Sequence, residues 1–241
     1  MEQREGIRLN KYIAHSGLCS RRKAADLVKA GKITVNGELE ENPSYMVQPD
    51  DEVVHDGKVL KAEENKVYIL LNKPKKVVTT VSDEKGRRTV IDLLGGKVKE
   101  RVYPVGRLDF MTTGLLVLTN DGDLAKKLSH PSHEVRKLYH VGLDRPITDQ
   151  EVQKIEKGLL LEDGLAEVDS AKIIPDRDRK ELMIQLHQGK NRIIRRIFEH
   201  LEHRVIKLDR VNYAGLTKKD LPRGWNRRLT DQEVIMLKHF N

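Results

Sequence analysis

VGRLDFMTTGLLVLTNDG, residues 105–122, decides how the rest of the chain is read. Its second half contains Leu115-Leu116-Val117-Leu118, an apolar run of strand length, as expected of a buried strand. Asn120-Asp121-Gly122 then closes it with a turn. The first half places Arg107 and Asp109 two residues apart in a loop bounded by Gly106 and Gly114. A carboxylate beside Leu108, Phe110 and Met111 is costly unless something holds its charge. From the residues alone two readings stand. Asp109 is a turn residue accepting bonds from loop amides, or it is an acid kept ionised for chemistry.

Outward from this run, strand candidates occupy residues 67–71, 77–81, 139–143, 182–186 and 205–208. Helical candidates occupy 89–94, 123–128, 149–157 and 191–201. Thr148 with Glu151, and Thr230 with Glu233, have the spacing of capping boxes. The order shows neither a regular strand-helix alternation nor a Gly-rich phosphate loop. It predicts an α+β domain over residues 63–241, with a mostly antiparallel sheet flanked by helices. Ala62-Glu63-Glu64-Asn65 reads as a polar linker from a smaller domain, residues 1–62.

In that smaller domain, residues 7–14 have helical apolar spacing stopped by Gly17. Ser20 is placed to cap a second helix over 21–30, ending at Gly31. Ile33-Thr34-Val35 enters an Asn36-Gly37 hairpin turn. A second pair of strands is expected near Met46-Val47 and Glu52-Val53-Val54, around Pro49-Asp50. Arg21, Arg22 and Lys23 fall at the start of the second helix, whose own positive end adds to their charge.

The 241 residues carry 45 Lys and Arg against 37 Asp and Glu, a net charge of +8. Residues 1–37 hold eight basic and three acidic side chains, and residues 38–62 hold two and seven. Such sorting predicts one basic face and a polyanionic partner, nucleic acid before membrane. The longest apolar run, Val67 to Leu71, is too short to span a bilayer. The charged N-terminus argues against secretion, and the single Cys19 excludes a disulfide framework and fits a reducing cytoplasm. His130, His133 and His140 lack a matching carboxylate or cysteine pattern. His200 and His203 are expected on a charged, solvated helix face, so no metal site is predicted.

Two resemblances narrow the function. RLNKYIAHSGLCSRRKAADLVKAGKITVNG, residues 8–37, resembles the small RNA-binding domain named after ribosomal protein S-four. GRLDFMTTGLLVLTNDG is similar to the active-site segment of the RsuA/RluB-type pseudouridine synthases, and that resemblance covers nearly the whole chain. It implies that Asp109 is catalytic, and that Arg107 helps displace the target nucleotide and occupies the vacated space. EVRKLYHV, residues 134–141, resembles the segment whose tyrosine, here Tyr139, stacks on the uracil. On its own, Tyr139 reads equally as a core aromatic of a strand. LHQGKNRIIRRIF, residues 186–198, resembles the segment whose arginine, here Arg195, pairs with the catalytic acid. On a helix, Ile194, Ile197, Phe198 and Leu201 share one face with Arg195 at its border, while Arg192, Arg196 and Glu199 lie further round, toward solvent or phosphate.

The resemblance thus implies a catalytic set of Asp109, Arg195 and Tyr139. RNA contacts are expected from Arg107, Arg8, Lys11, Arg21, Arg22, Lys23, Lys190, Arg192 and Arg196. Ile193 stands where the family commonly has Gln, and Leu138 replaces a more usual polar residue. SHPSHEV, residues 129–135, and GLLLEDG, residues 158–164, are most similar to members acting on large-subunit (23S) rRNA. A 16S rRNA or tRNA substrate is the alternative within the family. The isomerisation needs no cofactor, so none is expected, and the chain is expected to act as a monomer in the cytoplasm. The competing classes are a non-enzymatic RNA-binding ribosome-assembly factor and, more weakly, a DNA-binding helix-turn-helix regulator.

Overall fold

The computed structural model describes residues 6–63 and 65–239. Glu2, Arg4 and Glu5 of the charge count and Glu64 of the linker lie outside the described residues. The chain forms two compact units, Met1–Lys66 and Val67–Asn241. The boundary falls after Lys66 rather than after residue 62. One reason is that the Glu63 N–H donates to the His15 carbonyl oxygen at 2.8 Å, which ties the start of the linker to the first unit.

In the first unit, α1 (Leu9–His15) and α2 (Arg21–Lys29) bury Leu9, Ile13, Ala24 and Val28 against Ile33, Val35, Val47 and Val53. Ser20 caps α2, accepting the Lys23 N–H at 3.3 Å. Strand Ile33–Val35 pairs with Glu38–Leu39 through a turn in which Asn36 and Gly37 have φ of +53° and +85°. A two-residue hairpin turn of this hand needs both residues left-handed, which Asn-Gly supplies at low strain. One expectation is corrected. Met46–Val47 pairs not with the 53–55 segment but with Ile7–Arg8, a short strand ahead of α1. Asp51 accepts the Gln48 N–H at 2.7 Å and the Asn36 side-chain amide at 2.8 Å, turning the chain between the two segments. Val53–His55 instead pairs with Ile33–Val35 and Lys58–Val59.

The second unit is built on a mixed sheet. Its order is Ser170–Ile173, Glu181–Leu186, Lys137–Leu143, Val205–Tyr213, Thr113–Thr119, Tyr68–Lys73 and Asn226–Arg228. Among the described residues one pairing in this sheet is parallel, Val205–Tyr213 with Thr113–Thr119. The others are antiparallel. Side chains alternate faces along a strand. Leu115 and Val117 therefore pack under α3 (Gly122–Ser129) and α6 (Asp231–Lys238), while Leu116 and Leu118 face Val77, Val90 and Leu108. Both faces are covered, which explains the unbroken apolar run. α4 (Asp149–Lys157) and α5 (Ile193–His200) close a third cluster over Val141, Ile184 and Leu208.

The strand expected at 77–81 and the helix expected at 89–94 are both corrected. Val78 N–H donates to Arg88 O and Val90 N–H to Val78 O, so these amides are committed to a bridge between the two segments. What remains of the helix is one 3-10 turn, Asp92–Leu94, stopped by Gly95. His203 is also corrected. It lies past the end of α5, is 3% exposed, and pairs with Glu151 at 3.0 Å with its ring edge-on to Phe198.

The parallel seam depends on Gly114. It sits at φ +113°, and a Cβ there would lie 2.3 Å from the Arg210 carbonyl oxygen. Gly114→Ala combines a disallowed backbone angle with a main-chain collision, and should destabilise the second unit by about 3 kcal/mol. Denaturant unfolding followed on that unit checks it, and an unchanged midpoint would show that the seam can open without cost.

Candidate active site

The parallel seam and its antiparallel neighbour bring three distant segments together: the 105–113 loop, the Lys137–Leu143 strand and the start of α5. The loop is pinned through its main chain. Lys73, at the end of its strand and 0% exposed, donates from Nζ to Asp109 O at 3.0 Å, Phe110 O at 3.5 Å and Thr112 O at 2.8 Å. Lys76 N–H donates to Phe110 O at 2.8 Å, and Thr79 Oγ1 donates to Leu108 O at 2.7 Å. Burial lowers the Lys73 ammonium to about 8, the nearby Asp109 opposing this and Arg223 adding to it. A fold that retains such a group gains something from it, and here that is the loop's conformation.

The turn reading of Asp109 holds for its backbone alone, whose carbonyl takes the Thr112 N–H at 3.0 Å. Among the described residues the carboxylate accepts no loop amide. Its ion partner is Arg195, with Nε 3.9 Å from Oδ2. That distance is Coulombic contact rather than a hydrogen bond, so both oxygens remain free to meet a ligand. Arg195 is steadied by donating from Nη1 to Val205 O at 3.0 Å. Burial lowers its pKa, as does Arg192, against Asp109 and Glu199. The side chain of Asp109 keeps 39% of its surface. The cleft is therefore open to solvent at this carboxylate.

Asp109 lies in the shared wall of two adjoining clefts of about 520 and 410 Å³, and both also include Arg107 and Arg192. The second contains Tyr139, Lys137, Lys190 and Arg210 as well, so five cations face one carboxylate in it. Either volume suits a nucleotide-sized ligand. Tyr139 satisfies both of its readings. It packs against the two clusters that meet there, is half-buried, and shows a surface to the cleft. Ile193 and Ile194 are buried at the start of α5, which sets Arg195 at the edge of the apolar face.

The expected phosphate contacts divide. Arg107 and Arg192 are exposed at the clefts, Arg192 with Glu199 3.2 Å away. Arg196 is corrected: both of its terminal nitrogens are taken by Asp163, at 2.8 and 2.9 Å, so it braces the Gly164–Ala166 hairpin rather than awaiting RNA. Lys190 is similarly occupied, donating to Asp163 O and Leu165 O at 3.0 Å each, although it still borders the cleft. In the first unit, Arg8, Arg21, Arg22 and Lys23 are exposed and Lys11 is half-buried.

Three groups were missed from the sequence. Lys73 ends an apolar strand in Asn72-Lys73-Pro74, the one local signal available. Lys137 lies beside Tyr139 and donates to the His187 carbonyl oxygen. Burial lowers it to about 8, Arg210 adding to the shift and Asp169 opposing it. Asp209 is 3% exposed and is held by Arg223, at 2.9 Å from each of two nitrogens, by Lys218, and by Thr113 Oγ1 at 2.9 Å. Burial raises its pKa, but these donors prevail and hold it far below the usual carboxylate range. The network clamps the strands behind the loop.

Lys73→Met would remove the donor to the Thr112 carbonyl, at a cost of about 1–3 kcal/mol if that group stays buried, while Asp109 O keeps the Thr112 N–H and Phe110 O the Lys76 N–H. The expected result is a fall in kcat of at least about tenfold, equivalent to 1.4 kcal/mol, with RNA affinity little changed. An unaltered kcat would mean that the loop holds its shape unaided.

The family model for RNA pseudouridylate synthases matches residues 67–200, and that for the S4 domain matches residues 7–53. The chain is 42% identical over 234 residues to ribosomal large subunit pseudouridine synthase B of Bacillus subtilis, covering 96% of this chain and 95% of that one. It is 36% identical to a dual-specificity RNA pseudouridine synthase of Escherichia coli, over 96% of this chain and 78% of the relative. A crystal structure of a pseudouridylate synthase superposes with a TM-score of 0.68 at 27% identity, covering 96% of this chain and 99% of that one.

Proposed function

The chain belongs to the RNA pseudouridylate synthase family, with an S4 domain preceding the synthase unit, and from that premise we propose that it converts uridine to pseudouridine in large-subunit ribosomal RNA. The observation that carries the site assignment is the free carboxylate of Asp109, presented by a main-chain clamp at 3.9 Å from Arg195. The substrate class follows the Bacillus subtilis relative, which matches along both units. That role would serve ribosome assembly in the cytoplasm.

The reaction breaks the bond between N1 and the ribose C1′ and makes one between C5 and C1′. The C5 proton leaves and N1 gains one, so the product is an isomer and no co-reactant is consumed. Asp109 supplies the carboxylate for the glycosidic chemistry, and it must be ionised to do so. Arg195 stands at charge-pairing distance from it. Base chemistry of this kind requires the nucleotide to leave its stack, at a cost of a few kcal/mol. Tyr139 receives the flipped uracil on its ring, and Arg107, exposed at the mouth, occupies the space it leaves. Arg192 and Arg107 contact the flanking phosphates. The first unit contributes docking affinity through Arg8, Lys11, Arg21, Arg22 and Lys23.

Asp109→Asn keeps the shape of the side chain and removes its charge. Nucleoside chromatography of treated rRNA should then show no pseudouridine, with RNA binding within a few-fold of wild type. Retained product would remove Asp109 from the chemistry. Arg21 and Arg22 replaced together by Ala should weaken binding and flatten the log K against log salt slope by roughly 1.5–2. An unchanged slope would place docking elsewhere.

A further inference from the structure

We propose that Arg210 is a specificity-determining residue, donating from Nη2 to a carbonyl oxygen of the flipped uracil. This rests on the reading that the cleft receives that base. Arg210 is 3% exposed and forms part of the wall of the 410 Å³ cleft. Its Nε donates to Leu115 O at 2.7 Å, and its guanidinium lies 4.4 Å from the centre of the Tyr213 ring. These two contacts fix the plane of the group. Its Nη2 is nevertheless buried without a hydrogen-bond partner among the described residues. A buried, charged donor left unpaired is expensive, and folded proteins rarely keep one unless a ligand completes it.

Position identifies the ligand atom. Arg210 and Tyr139 are direct partners across two antiparallel strands. Residues so paired project to the same face as neighbours. Both residues also line the 410 Å³ cleft, so the unpaired donor belongs to the same wall as the ring assigned to stack on the base. RNA phosphates stay on the backbone, at the mouth with the exposed Arg107 and Arg192, whereas Arg210 is enclosed. Guanidinium only donates. Uracil offers it O2 and O4, while cytosine presents an amino group in place of O4. A site whose buried donor must be matched rejects a base that leaves it unpaired far more strongly than a shape filter does.

The test uses rRNA transcripts carrying uridine, 2-thiouridine or 4-thiouridine at the target, since sulfur is a weak acceptor. Single-turnover rates are measured with the wild-type chain and with Arg210→Lys and Arg210→Gln, whose folding is checked by thermal melts. The 4-thio substitution should slow the wild type by about tenfold and cost the variants little. A penalty confined to 2-thiouridine would overturn the specificity role, because cytosine shares O2. Equal rates of the wild type on all three transcripts would overturn the proposal, as would a thio penalty of the same size in wild type and variants. Arg210→Lys keeps the charge and the stem, so that a folded variant is available for the comparison. Failure of the wild type on the uridine transcript would instead remove the functional reading, and this proposal with it.

Discussion

From the end of its strand, the ammonium group of Lys73 reaches the carbonyl oxygens of Asp109, Phe110 and Thr112, and burial has already cost it part of its basicity. The side chain of Asp109 is free because its backbone is not. Had the loop been held by the carboxylate accepting its own amides, as in an ordinary Asx turn, the same fold would have consumed the group it needs to present. The lysine takes over the structural duty and leaves the acid two-fifths exposed, with Arg195 at charge-pairing distance. The surrounding architecture serves that division of labour. Gly114 lets two strands approach closely in parallel, and the Asp209 network locks the strands behind them.

Electrostatics shapes the rest of the cleft. Arg107, Lys137, Lys190, Arg192 and Arg210 surround a single carboxylate. Such an enclosure attracts a polyanion. The cations differ in function because they differ in burial. Those at the mouth can meet phosphates, Lys190 is spent on a hairpin, and Arg210 keeps one donor in reserve at depth. Charge counting along the chain locates the basic residues, and only the packing tells them apart.

Local signals in the sequence were accurate where structure is local. The Thr148 capping box delimits α4 at the observed Asp149–Lys157, and Ser20 and Asn36-Gly37 mark a helix start and a hairpin turn. The apolar run after Gly114 reads correctly as a buried strand, and the structure covers it on both faces. Apolar content misled at 77–81, where the amides pair with 88–90 instead of entering the sheet. Helical spacing placed Arg196 toward solvent, and an aspartate 33 residues away claims it. His203 looked like surface and is buried with Glu151. The Asp109–Arg195 approach was expected from family resemblance, since residues 86 apart share no periodicity. Lys73 carries one faint local signal, the Asn72-Lys73-Pro74 strand end, and Arg210, a fourth group beyond Lys73, Lys137 and Asp209, carries none, because their significance depends on what lies across the sheet.

In the proposed function a clamped loop, a free carboxylate and an arginine from α5 isomerise uridine in RNA with no further reagent. The most direct measurement is release of tritium from a large-subunit rRNA transcript labelled at C5 of uridine. The purified chain is mixed with the transcript in buffer containing a chelator and no added cofactor. Multiple turnovers, with tritium released in step with loss of uridine at one position, are predicted. A transcript that binds tightly yet releases no tritium would contradict the account and leave an RNA-binding protein in place of an enzyme.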